Sequence, residues 1–237
     1  HYYTMKLVQG RTLRSVLDGW RASHAETCAE FGRVRLLHVF AQVCAAVGYA
    51  HSKGVVHRDL KPDNIMMGAH GEVLVMDWGI SKVLGGEIRG SEDVSFKTVD
   101  GAVMGTPYYM APEQAMGRVS AIDARTDVWA LGAILYEMLT GHLAFEAPTI
   151  ASTFNAVCNK VPVPLSERRP DAPAALGAVV ARALRKDHGE RFATMAELAD
   201  ALRAAFGGTV RTPRPSLDDA GAADEPAAAG GATVVAS

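Results

Sequence analysis

Cysteine is scarce in this chain: three residues in 237 (Cys28, Cys44 and Cys158), odd in number, widely spaced and without a C-x-x-C pair. That leaves no basis for a disulfide framework, and the reading is of reduced core thiols in a cytosolic protein. Long apolar runs are missing as well. No stretch approaches the roughly 20 residues that a spanning helix needs, so no membrane segment is expected. No signal peptide is expected either. Charge of one sign is not in excess either, since the net value is only -2. Nothing in that balance calls for a polyanion, so nucleic acid is not an expected partner. What the chain does have is apolar content, 49% of residues, enough for a sizeable core in one large domain or two small ones.

The chemistry is concentrated in His57-Arg58-Asp59-Leu60-Lys61-Pro62-Asp63-Asn64, followed by Asp77-Trp78-Gly79. Asp59 offers a carboxylate that could accept a proton from an attacking hydroxyl. Lys61 could neutralise charge on a transferring phosphoryl group. Asn64 and Asp77 are oxygen donors of the kind that Mg²⁺ prefers, and Mg²⁺ takes few protein ligands and completes its shell with phosphates. Between the two clusters, Ile65-Met66-Met67, a Gly68–Gly71 turn and Glu72 to Met76 read as a hairpin that brings Asn64 and Asp77 to one end. His51 and His57 lack ligand-spaced partners.

The order H-R-D-L-K-P-D-N, then D-W-G, then G-T-P-Y-Y-M-A-P-E at 105–113 resembles the eukaryotic-type (Hanks-type) serine/threonine protein kinases of bacteria. The resemblance implies an α+β, mainly α-helical, kinase-like fold, with residues 11–206 as its C-terminal lobe and 1–10 as the end of the small lobe and the hinge. It implies ATP and Mg²⁺ as cofactors, with Mn²⁺ able to substitute, and Ser/Thr hydroxyls of proteins as substrate. Asp59, Lys61 and Asn64 become the catalytic set of the loop 57–64, and Asn64 with Asp77 the metal donors. Met5, Lys6 and Val8 fall at the hinge, where backbone groups meet adenine, and Met66 packs beneath it. His57 becomes a packed core residue. Trp78 replaces the family's usual Phe and fills the same place. Glu113 pairs with Arg191, and Asp127 holds the catalytic-loop backbone.

Read along the chain, Tyr2 to Val8 is a strand, and Thr12 caps a short helix through Leu17. Arg33 to Ser52 is a helix with Leu36, Phe40, Val43, Val47 and Ala50 on one face, ending near Gly54. Ser81 to Asp100 is a long polar loop inside the activation segment, 77–113. Ser91, Ser95 and Thr98 lie where the family is phosphorylated, and Arg58 is the cation to receive that phosphate. Thr106, in the docking end of the segment, favours Ser/Thr over Tyr as acceptor. Asp127 to Thr140 is apolar almost all round and reads as a buried helix stopping at Gly141. Leu165 to Leu184 and Thr194 to Phe206 supply the closing helices, the second opened by a capping box, Thr194 and Glu197. From Gly207 to Ser237 the composition is that of a disordered tail or linker.

The glycine-rich loop, strand lysine and helix glutamate of the family have no counterpart in this sequence. The expectation is therefore a piece of a larger kinase, cytoplasmic or the cytosolic part of a membrane-anchored one. The alternative is an inactive large-lobe fragment that binds partners, opposed by the retention of Asp59, Lys61, Asn64 and Asp77. A small-molecule phosphotransferase is disfavoured by the polypeptide-docking stretch Gly105 to Glu113.

Overall fold

The computed structural model describes residues 10–68, 71–78, 82–83 and 107–206. The expected strand at 2–8 with Met5, Lys6 and Val8, the loop residues Ser91, Ser95, Thr98 and Thr106, Gly79, and the tail from Gly207 lie outside them. The described part is an α+β structure, mainly helical, with a small antiparallel sheet.

The chain enters through β1 (Arg11–Thr12) and turns directly into α1 (Leu13–Arg21). The Thr12 side chain accepts from the Ser15 amide and satisfies one of the orphan N–H groups of that helix. The helix runs past the expected end at Leu17 to Arg21, because Gly19 lets Thr27 of α2 (Ala25–Glu30) pack against it. A Cβ at Gly19 would come within 2.9 Å of the Thr27 side chain. α3 spans Arg33–Ser52, the range its periodicity predicts, with Leu36, Phe40, Val43 and Val47 buried and Ala50 partly so.

β2 (Val55–Val56) pairs antiparallel with β5 (Lys82–Val83). β3 (Ile65–Met67) and β4 (Val73–Val75) form the predicted hairpin in the register Ile65↔Val75, Met66↔Leu74, and β1 adds to the other edge of β3. After α4 (Pro112–Ala115) comes α5 (Ala124–Thr140), buried on every face from Thr126 to Leu139. Asp123 caps its start, and Gly141, at φ 73°, ends it in the left-handed conformation that a residue with a Cβ adopts only at a cost. α3 packs on α5, α9 (Met195–Ala205) packs on α3, and α8 (Ala174–Ala183) bridges α5 and α9, so the core lies among these four helices.

Three expectations need correction. The stretch Leu165 to Leu184 is not one helix: Pro170 and Pro173 divide it into α7 (Leu165–Arg168) and α8, since the residue before a proline is pushed out of the helical region. The Thr194–Glu197 box is offset, because Thr194 accepts from the Glu197 amide at 3.1 Å while the Glu197 carboxylate reaches back to the Ala193 amide. Of the three cysteines, all free, only Cys44 is in the core; Cys28 is exposed and Cys158 half-buried. Reading the sequence also passed over α2 and α6 (Ile150–Asn159), the latter capped by reciprocal Thr149 and Ser152 hydrogen bonds.

Candidate active site

The loop between β2 and β3 is fixed by one buried carboxylate. Asp127, in the first turn of α5, accepts from the His57 amide through Oδ2 and from the Arg58 amide through Oδ1, each at 2.8 Å. Its Oδ2 also meets His51 Nε2 at 2.7 Å, which gives that histidine a partner 76 positions away. His57 is fully buried: its Nδ1 accepts from the Asp59 amide at 3.3 Å, and its Nε2 lies 2.9 Å from the Met76 carbonyl. A carbonyl can only accept, so the Nε2–H tautomer is the one that suits both contacts. The Trp78 ring lies 4.6 Å from the His57 ring, and its Nε1 donates to the Val75 carbonyl at 2.8 Å. His57 thus links the loop to the far end of the β3–β4 hairpin.

On this frame Asp59, Lys61 and Asn64 converge. Lys61 Nζ lies 2.8 Å from Asp59 Oδ2, with both side chains partly open to solvent. Asn64 Nδ2 donates to the Asp59 carbonyl at 2.8 Å, which spends its amide nitrogen on the loop. Among the described residues nothing donates to Asp59 Oδ1, so that oxygen is available to a hydroxyl. The Met76 amide donates to the Asn64 carbonyl at 2.8 Å, continuing the hairpin register and setting the exposed Asp77 at the same end as Asn64. Met66, half-buried, is central in the sheet between Thr12 and Leu74.

Two non-glycine residues here hold left-handed backbone, Arg58 at φ 70° and Asp77 at φ 62°. Such a conformation costs about 1–2 kcal/mol per residue and persists only where surroundings enforce it. At Arg58 those surroundings are visible. Its amide is held by Asp127, and its carbonyl accepts from Gln114 Nε2 at 2.7 Å. The Arg58 Nε is buried without a hydrogen-bond partner among the described residues. Burial lowers the pKa of that guanidinium, with Asp127 acting in the opposite sense.

Behind the site, Arg191 Nη1 and Nη2 each donate to one Glu113 oxygen at 2.8 Å, and Thr126 adds a third bond at 2.8 Å. A second buried acid, Glu137 of α5, escaped the sequence reading. It accepts from Arg14 at 2.8 Å and is also bonded to Arg21 and to the Tyr109 hydroxyl. Arg14 in turn lies 3.6 Å from Asp63 of the 57–64 loop. Burial, then Glu137, raises the Tyr109 phenol above its ordinary value. The signal was present in the sequence: Glu137 is the only charged residue in the apolar run Val128 to Thr140, and a buried acid must find partners.

The oxygen donors present, Asn64 and Asp77, fit a hard divalent cation. The donors are oxygens, and among the described residues no group of three His, Cys, Asp or Glu forms a closed protein cage. No helix among the described residues is long and apolar enough to cross a membrane.

The family described as Protein kinase domain matches residues 1–202. The chain is 36% identical over 218 residues to the serine/threonine-protein kinase PknB of Mycobacterium tuberculosis (strain ATCC 25618 / H37Rv), an alignment covering 92% of this chain and 32% of that protein. It is 37% identical over 231 residues to the serine/threonine-protein kinase PknD of Chlamydia abortus, covering 91% of this chain and 24% of the relative. With PknD of Protochlamydia amoebophila the identity is 41% over 162 residues, 63% of this chain and 16% of the relative. The chain therefore spans about a third or less of the length of these curated relatives.

Proposed function

We propose, given that this chain belongs to the protein kinase family, that it is the catalytic lobe of an ATP-dependent protein serine/threonine kinase. The observation that carries the reading is the convergence of Asp59, Lys61 and Asn64 on one loop, with Asp77 at the adjoining end of the hairpin. Asp59 accepts the proton of the incoming serine or threonine hydroxyl through Oδ1. Its other oxygen is tied to Lys61, whose ammonium is positioned to neutralise charge on the transferring phosphoryl group. Asn64 and Asp77 hold Mg²⁺, or Mn²⁺ in its place, which supplies charge neutralisation on the nucleotide phosphates. Met66 packs beneath adenine, and Met5, Lys6 and Val8 meet its edge.

Residues 105–113, Thr106 among them, receive the substrate polypeptide, while Arg58 receives a phosphate placed on Ser91, Ser95 or Thr98. A buried guanidinium nitrogen without a partner among the described residues supports that last role. The working compartment is the cytoplasm.

The chain alone, without the glycine-rich loop, strand lysine and helix glutamate, is expected to be inactive, so the test is phosphate transfer from Mg-ATP to a protein substrate by a full-length protein that carries them, as wild type and as Asp77→Ala. Catalysis here is positioning plus charge neutralisation, so the variant should lose about two orders of magnitude or more in turnover while keeping its melting temperature. Near-normal turnover in Asp77→Ala would sink the site assignment. No transfer by the full-length wild type, phosphorylated or not, would sink the kinase reading.

A further inference from the structure

Gln114 stands one residue beyond Glu113, in α4, and the sequence gives it no chemical role. Its amide nevertheless has two separate engagements. Oε1 accepts from the Ala111 amide at 3.0 Å, and Nε2 donates to the Arg58 carbonyl at 2.7 Å, 56 positions away in sequence. The first contact is a helix-capping bond, and a glutamine in this position needs no further explanation for it. The second contact has no capping purpose.

The Arg58 carbonyl belongs to the peptide plane that leads into Asp59. The other edge of that plane, the Asp59 amide, faces His57 Nδ1 at 3.3 Å. The plane is thus held at its oxygen by Gln114 and at its N–H by His57. It follows a residue at φ 70°, where the backbone is under strain and would relax if released. Rotation of this plane re-aims the Asp59 Cα–Cβ bond. Since Asp59 must meet a hydroxyl within hydrogen-bond reach, a displacement of even an ångström is costly.

We propose that Gln114 is a positioning residue for Asp59: its side-chain amide locks the 58–59 peptide and couples α4, at the C-terminal end of the substrate-docking stretch 105–113, to the catalytic loop. The proposal rests on the kinase reading for its consequence and on geometry alone for the lock. When the docking stretch is in place, the Arg58 carbonyl has its donor; when the stretch is displaced, the donor leaves with it.

Gln114→Glu separates the two engagements. A carboxylate oxygen still accepts from the Ala111 amide, and an acid in the first turn of a helix is favourable. The donor facing the Arg58 carbonyl, however, becomes an acceptor, and the two oxygens repel. The expected result is a fall in kcat of about tenfold or more, with KM for ATP unchanged and the melting temperature within a few degrees of wild type. Hydrogen exchange at the amides of residues 57–59 should accelerate in parallel. Gln114→Met, which loses both contacts, should reproduce the kcat and exchange effects and add a modest loss of stability.

If wild type is active and Gln114→Glu matches it in kcat and exchange, Gln114 is a cap only and the proposal falls. If the full-length wild type transfers no phosphate, the kinase reading falls instead. The exchange experiment then still decides whether the lock exists.

Discussion

Asp127 accepts three hydrogen bonds on two oxygens, from the His57 and Arg58 amides and from His51, and it is fully buried. Asp127→Asn leaves one acceptor oxygen and turns an amide NH₂ toward donors. A buried donor deprived of its partner costs about 1–3 kcal/mol, so this variant should melt lower and also lose turnover, because the strained Arg58 conformation is no longer enforced. Calorimetry with a phosphotransfer assay separates it from Asp77→Ala, which should lose turnover alone. Legibility at this scale follows chain separation. Asp59, Lys61 and Asn64 could be read as one cluster because they lie within a single loop, and Asp77 joined them through a short hairpin. Gln114 and the Arg14–Glu137–Tyr109 group could not, since Gln114 reaches Arg58 across 56 positions and Arg14 reaches Glu137 across 123. No periodicity or motif spacing encodes such a pair.

Among the helices, those with strong periodicity or an apolar run were legible: α3 from its stripe, α5 from its continuous burial, α9 from its cap. α6 was missed because its burial is limited to Thr153, Ala156 and Val157, too few for a stripe. The α5–α8 contact depends on Gly132, where a Cβ would come within 2.7 Å of the Ala183 Cβ. Gly132→Ala gains helix propensity but overpacks that contact, and a net loss of about 1–3 kcal/mol in chemical denaturation is expected. α6 is secured differently, by Lys186, whose Nζ donates to the Val157 carbonyl at 2.6 Å and lies 3.9 Å from the Phe145 ring centroid. Burial lowers this ammonium to about 8, with Cys158 opposing and Arg191 reinforcing the shift. The unfolded chain keeps a lysine near its ordinary value of about 10.4, so between about pH 8 and 10.4 the unfolded state binds more protons and stability rises with pH. Lys186→Met should abolish that rise relative to wild type, seen as a melting temperature difference that changes across this window.

At the scale of the whole molecule, the Glu113–Arg191 pair joins segments that no local signal connects. Arg191, itself buried, donates to both Glu113 oxygens at 2.8 Å and to the Arg185 and Arg125 carbonyls at 2.9 and 3.1 Å. It therefore ties α4 to the start of α5 and to the chain between α8 and α9. Burial alone would raise the Glu113 carboxyl, but the hydrogen bonds and charge of Arg191, its own backbone and Thr126 outweigh burial and hold it below its ordinary value. A carboxyl lowered on folding contributes stability that is fully present above its unfolded value, about 4.3, and lost as pH falls through the lower folded value. At neutral pH, Glu113→Gln should cost about 3–5 kcal/mol, because it leaves the Arg191 charge buried without its counter-ion. As pH falls below the unfolded value and on through the lowered folded one, wild-type Glu113 also becomes neutral and the gap between the two proteins should close. A gap that stays constant through this range would mean the carboxyl carries no such shift. Replacing both partners, Glu113→Leu with Arg191→Met, should cost less than either single change, since neither charge is then left alone. That outcome would assign the pair to specifying how α4 sits on the helices, with little net stability of its own.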